Sequence, residues 1–265
     1  MDVLHAAVTV VVLTVLLSAS VQDWRHREID DRHWWAISVF GSSVVGIHAL
    51  SDGGYLSAVS VIASFILFSG MMKDSSVAIM LGAASSVVLW AFAYLSGVSD
   101  PGTVAVLAAP AFILLFYAAY AAGILPGGAD VKCLMAVSMA APAWGSYPPG
   151  RAVLGLAFPP SVAVMAVACI ITVVSGVLWG IYKNRRLALS DVHCYRMPIG
   201  EARGAFVWPL EDVVDGRIVR TKTDDGSGPV YVRLEEHGAE DVLVSPMYPF
   251  VIPLTAAFVL VMLSS

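Results

Sequence analysis

Residues 3–31 read VLHAAVTVVVLTVLLSASVQDWRHREIDD: an apolar run, Val3–Val21, followed at once by a charged segment that opens with Gln22-Asp23. A helix needs about 20 mostly apolar residues to cross the hydrocarbon of a bilayer, and this run is long enough. Ser18-Ala19-Ser20 resembles a signal-peptide cleavage site, but Met1-Asp2 carries no basic residue, while Arg25, Arg27 and Arg32 follow the run. A signal peptide has its basic residues in front. The run therefore reads as a retained transmembrane helix with its N-terminus outside.

The rest of the chain agrees. Of its 265 residues, 58% are hydrophobic and 13% charged, against about 25% charged in a soluble domain. That is the composition of an integral membrane protein, and a net charge of −5 gives no reason to expect nucleic-acid binding. Further candidate spans are Trp34–Leu50, Tyr55–Met72, Val77–Gly97, Thr103–Leu125, Val131–Ser146, Val162–Tyr182 and Tyr248–Leu263. The second, sixth and eighth spans are short, and Pro142 lies in the sixth, so the count is six to eight. Asp52-Gly53-Gly54, Ser99-Asp100-Pro101-Gly102 and Pro148-Pro149-Gly150 punctuate the runs.

With eight spans and the N-terminus outside, residues 22–33, 73–76, 126–132 and 183–247 are cytoplasmic. They hold fourteen of the fifteen Lys and Arg residues, leaving only Arg151 on the other side, as the positive-inside rule requires. The expected fold is mainly α, a polytopic membrane helix bundle with a small β-rich cytoplasmic domain. Its parts are a bundle over 1–182, the polar domain over 183–247 and a last transmembrane helix over 248–265. Within the polar domain, Arg217–Lys222, Val230–Leu234 and Asp241–Val244 read as short strands, with a turn at Asp224-Asp225-Gly226-Ser227-Gly228. Lys183-Asn184-Arg185-Arg186 reads as a topology anchor. Cys133, Cys169 and Cys194 are isolated, so neither a disulfide framework nor a zinc knuckle is indicated.

Two acids stand out. Asp23 follows the first span and Asp130 closes Gly127-Gly128-Ala129-Asp130 ahead of the sixth. Four spans separate them, an even number, so both emerge on the cytoplasmic side. Each has a plainer account. Asp23 is the first polar residue after a span, in an interfacial segment with Trp24, and Asp130 sits where an N-cap would satisfy free N–H groups. Together they form the one coherent pair for hydrolysis: two carboxyls sharing a site cannot both ionise readily, so one stays protonated while the other deprotonates water. Gly127 and Gly128 lack side chains, so an extended substrate backbone can approach the carboxylate closely. No Ser–His or Cys–His arrangement lies within a span on that side, and no metal or organic cofactor is indicated.

Asp23-Trp24-Arg25-His26-Arg27-Glu28-Ile29 after the first span and Gly127-Gly128-Ala129-Asp130-Val131-Lys132 opening a later helix resemble the type IV prepilin peptidase and archaeal preflagellin (archaellin) signal peptidase family of GxGD membrane aspartic proteases. Pro246-Met247-Tyr248-Pro249-Phe250-Val251-Ile252-Pro253-Leu254 is similar to the proline-rich start of that family's last helix. Ala129 stands at the motif's third position, and roughly two extra spans separate the acids. The absence of C-x-x-C pairs points away from the bacterial branch that also methylates, and towards the archaeal type. The resemblance implies an aspartic endopeptidase of the cell membrane, with Asp23 and Asp130 catalytic and Gly127, Gly128 and Ala129 against the substrate. The peptide bond cut lies at the cytoplasmic face, between a short basic leader and the hydrophobic segment of an archaellin or pilin-like precursor. Glu28, Asp30 and Asp31 are then placed to attract the leader's basic residues, or else form a solvated turn balanced by Arg25, Arg27 and Arg32. The competing readings are an ion-coupled transporter using the two acids as a relay and a non-catalytic assembly subunit of a pilus or archaellum. Partners are the precursor and membrane lipid.

Overall fold

A computed structural model describes residues 3–125, 127–141, 160–183, 194–221 and 227–263. Pro142, the Pro148-Pro149-Gly150 break, Arg151, the basic residues after Lys183 and the Asp224-Asp225-Gly226 turn lie outside the described residues. The chain divides into two compact units, 1–169 with 250–265, and 170–249.

The first unit is helical: α1 (Val3–His26), α2 (Arg32–Ser51), α3 (Tyr55–Met72), α4 (Ser76–Leu95), α5 (Pro101–Ala121), α6 (Gly128–Ala140), the start of α7 (Pro160–Lys183) and α10 (Val251–Leu263). Among the described residues, α1 to α5 and α7 are long and apolar enough to cross a membrane, and α10 is a shorter apolar helix. Helix α1 runs past Val21 to His26, so Asp23 lies inside its last turn rather than after it. Nothing in Asp23-Trp24-Arg25-His26 breaks a helix, and the stop comes at Arg27, which takes the left-handed conformation (φ 57°) common just past helix ends.

Helix α6 departs most from expectation. It starts at Gly128, not Val131, and its 13 residues give about 20 Å, short of the roughly 30 Å hydrocarbon thickness. Val131 and every residue from Cys133 to Ala140 are buried, as befits a helix apolar on all sides. Helices α2 and α5 hold it. At Gly41 of α2 an added Cβ would collide with the backbone and methyl of Ala140, so the absence of a side chain sets the α2–α6 spacing.

Helix α5 contains Pro110, which cannot donate to the carbonyl four residues back. That carbonyl belongs to Val106, and the Ser60 hydroxyl of α3 donates to it at 3.3 Å. A neighbouring helix thus satisfies the group the proline releases, the condition for a proline inside a membrane helix.

The second unit follows the end of α7 with β1 (Tyr195–Pro198), α8 (Ile199–Ala202), β2 (Val207–Pro209), β3 (Glu211–Val214), β4 (Arg217–Arg220), α9 (Ser227–Glu236) and β5 (Asp241–Pro246). An antiparallel sheet runs in the order β1-β5-β2, and β3 and β4 form a separate hairpin. The hairpin turns at Asp215-Gly216, both with positive φ (51° and 69°), as the favoured two-residue connection requires.

The strand expected at Val230–Leu234 is instead part of α9. Its β-branched residues suggested a strand, but the buried positions are Val230, Tyr231 and Leu234, with Val232 exposed. That spacing is helical, and Pro229 fits a first helical turn. These side chains close the unit's core with Ile199, Val207, Val242 and Val244. Arg233 of α9 forks onto Asp212 of β3, Nε to Oδ1 at 2.9 Å and a terminal guanidinium nitrogen to Oδ2 at 2.6 Å. That hydrogen bonding holds the Asp212 carboxyl below the usual carboxylate range.

Candidate active site

Asp23 is buried at 7% exposure. Its Oδ2 accepts the backbone N–H of Val251 at 3.2 Å, and Val251 is the first residue of α10. The first N–H groups of a helix have no partner within it, and that end of the helix favours negative charge. The two helices are tied again one turn deeper. Ser20 and Thr255 share a hydrogen bond at 2.8 Å, and the Thr255 hydroxyl donates to the Val251 carbonyl at 2.8 Å. The left-handed Arg27 closes the other side, its backbone N–H donating to the Asp23 carbonyl at 3.0 Å.

Asp130 is the third residue of α6, whose N-cap is Gly127. The N-cap role expected for Asp130 is therefore corrected. The carboxyl folds back over Gly127, where a Cβ would lie 2.8 Å from Asp130 Cγ. Gly127 leaves room for the acid itself. Asp130 is outside the helices long enough to span, and among the described residues its carboxyl makes no hydrogen bond or ion pair. Burial first, and the neighbouring Asp23 carboxyl second, push its acid up to about 7. The two acids are thus near enough for the charge of one to act on the other.

A second link joins the same two segments. Lys132 Nζ donates to both oxygens of Asp31, at 2.7 and 2.9 Å. It joins residues 101 apart in sequence and clamps the start of α2 to the N-terminal part of α6. Sequence reading placed Asp31 among leader-binding acids, but its carboxylate is already engaged. Asp30 is engaged too, since its Oδ1 accepts the Arg32 N–H at 2.9 Å. Glu28 is exposed. Gly128, Ala129, Asp31 and Lys132 line a cavity of about 260 Å³, which neither Asp23 nor Asp130 lines. The Val251 N–H and Lys132 were not recognised as site groups. Neither carries a local signal, because each meets its acid only through tertiary packing.

No group of three His, Cys, Asp or Glu able to hold a metal ion occurs among the described residues. No protein-family model matches the chain, and no curated protein matches it.

Proposed function

We propose that the chain is a membrane aspartic endopeptidase that removes a short basic leader from archaellin or pilin-like precursors at the cytoplasmic face. The observation that carries this reading is the electrostatic pairing of Asp23 and Asp130, one carboxyl held by a helix N-terminus and the other raised to about 7. Asp23, accepting the Val251 N–H, serves as the ionised base that takes a proton from water. Asp130, protonated near neutral pH, donates to the scissile carbonyl and stabilises the developing charge. The water attacks that carbonyl; as the tetrahedral intermediate collapses the C–N bond breaks, Asp23 passes the water's proton to the leaving amine, and the former carbonyl oxygen returns its proton to Asp130. The dyad titrates as a pair.

The test follows leader removal by mass spectrometry, with purified full chain in detergent and a panel of archaellin and pilin precursors. Wild type, Asp23→Asn and Asp130→Asn are compared, with circular dichroism confirming that all three are folded. Cleavage by the wild type alone supports the reading and identifies the substrate class. Cleavage surviving in either variant removes the aspartic mechanism. Failure of the wild type on every precursor moves the weight to a transporter or an assembly subunit.

A further inference from the structure

The cavity at the start of α6 has a wall that the endopeptidase chemistry does not use. It is bounded by Asp74, Tyr117, Tyr120, Met72 and Met135, besides the Asp31–Lys132 pair. Asp31 and Lys132 neutralise one another, which leaves Asp74 as its uncompensated charge.

Asp74 lies in the short connection between α3 and α4 with φ 50°. The adjacent cap position is taken by Ser75, whose hydroxyl accepts the Ala78 N–H, so Asp74 is not needed to start α4. Its carboxylate forms no ion pair or hydrogen bond among the described residues. Two phenol rings and three thioethers, of Tyr117, Tyr120, Met71, Met72 and Met135, line the same cavity. Tyr120 reaches over Gly128, its hydroxyl 3.6 Å from where a Cβ would be, and so ties this wall to the motif that carries Asp130.

An acid at the mouth of a pocket walled by aromatic faces and flexible thioethers suits a long cationic side chain. The carboxylate pairs the charge, the rings attract it through their faces, and the methionines pack along the aliphatic stem. The volume of about 260 Å³ falls below the about 300–1,000 Å³ typical of small-molecule sites. One side chain of a larger substrate fits it better than a free metabolite.

We infer that this cavity is a specificity pocket that takes a lysine or arginine side chain of the peptide substrate, with Asp74 as its counter-ion. The inference rests on the endopeptidase reading and shifts leader recognition from Glu28, Asp30 and Asp31 to Asp74. A charge pair at a partly exposed site, with a ring beside it, gives a preference of about fivefold.

The experiment measures binding rather than cleavage. The full chain carrying Asp23→Asn and Asp130→Asn is titrated with a fluorescein-labelled peptide in which an apolar membrane-spanning helix is preceded by lysine, or by norleucine of the same length. The expected result is about fivefold tighter binding of the lysine peptide, lost when Asp74→Asn is added. Asparagine tolerates the left-handed conformation as well as aspartate does, so the connection keeps its shape. Tyr120→Leu should lower the same preference while leaving norleucine binding in place. A preference that survives Asp74→Asn, or no preference in any variant, overturns the inference. A chain that cuts no precursor yet shows the Asp74-dependent preference keeps the pocket and loses the endopeptidase reading. The converse pattern keeps the endopeptidase and loses the pocket.

Discussion

A methyl group at position 127 would fall on the Asp130 carboxyl, so Gly127→Ala should turn that acid away from Asp23 without disturbing the apolar core. A misplacement on the order of 1 Å costs about 100-fold in rate. The kcat/KM for precursor cleavage should fall by about that factor while the thermal melt stays unchanged, and a variant that cleaves normally would show that the acid does not act from this position. The pH dependence has a definite sign. Asp130 must be protonated to donate, and its pKa is raised to about 7, so activity should decline as pH rises through that value, and should fall again at acid pH where the Asp23 base takes up a proton. A pH–rate profile that stays flat from 6 to about 9 would contradict the assigned roles. Both acids were legible in the sequence, because a carboxylate at the edge of an apolar run is conspicuous. The ion pair of Asp31 was not legible for the opposite reason, since its partner Lys132 is remote in sequence.

At the scale of elements, Pro110 and Ser60 make a pair that spans two helices. Ser60→Ala leaves the Val106 carbonyl without its donor and should destabilise the chain by about 1 kcal/mol, as interhelical hydrogen bonds in membranes do. Pro110→Ala restores an N–H to α5, so in that background Ser60→Ala should cost much less. The double-mutant cycle is read from unfolding in mixed micelles, and equal costs in both backgrounds would refute the coupling. Long apolar helices were easy to find because some twenty apolar residues in a row have few other uses. Helix α6 was placed late and drawn too long. Its shortness was legible in the sequence, but apolar content did not reveal that it is buried all round. Helix α9 was missed because Val230-Tyr231-Val232 has strand propensity, whereas burial of Val230, Tyr231 and Leu234 settles it as a helix. The Asp215-Gly216 turn was a local signal that went unread, and it marks the hairpin of β3 with β4.

For the molecule as a whole, the site is assembled where the C-terminal end of α1 and the N-terminal ends of α6 and α10 meet, with the Asp31–Lys132 bridge nearby holding α2 to α6. Reversing that bridge is informative: Asp31→Lys or Lys132→Asp alone should depress cleavage, and the double swap should recover most of it. Recovery reports a positioning ion pair, and a double variant no better than either single would show that each residue acts on its own. The sequence alone determined that the chain has long apolar helices, that an even number of them lies between Asp23 and Asp130, and that the polar residues gather in one late segment. These follow from composition and order along the chain, which folding does not alter. Only the tertiary structure decided which groups surround the acids: the Val251 N–H on Asp23, the carboxyl folded over Gly127, the engaged Asp31 and the free Asp74. Such partners are chosen by the packing of helices far apart in sequence, and local pattern carries no record of which distant residue will fill a given space.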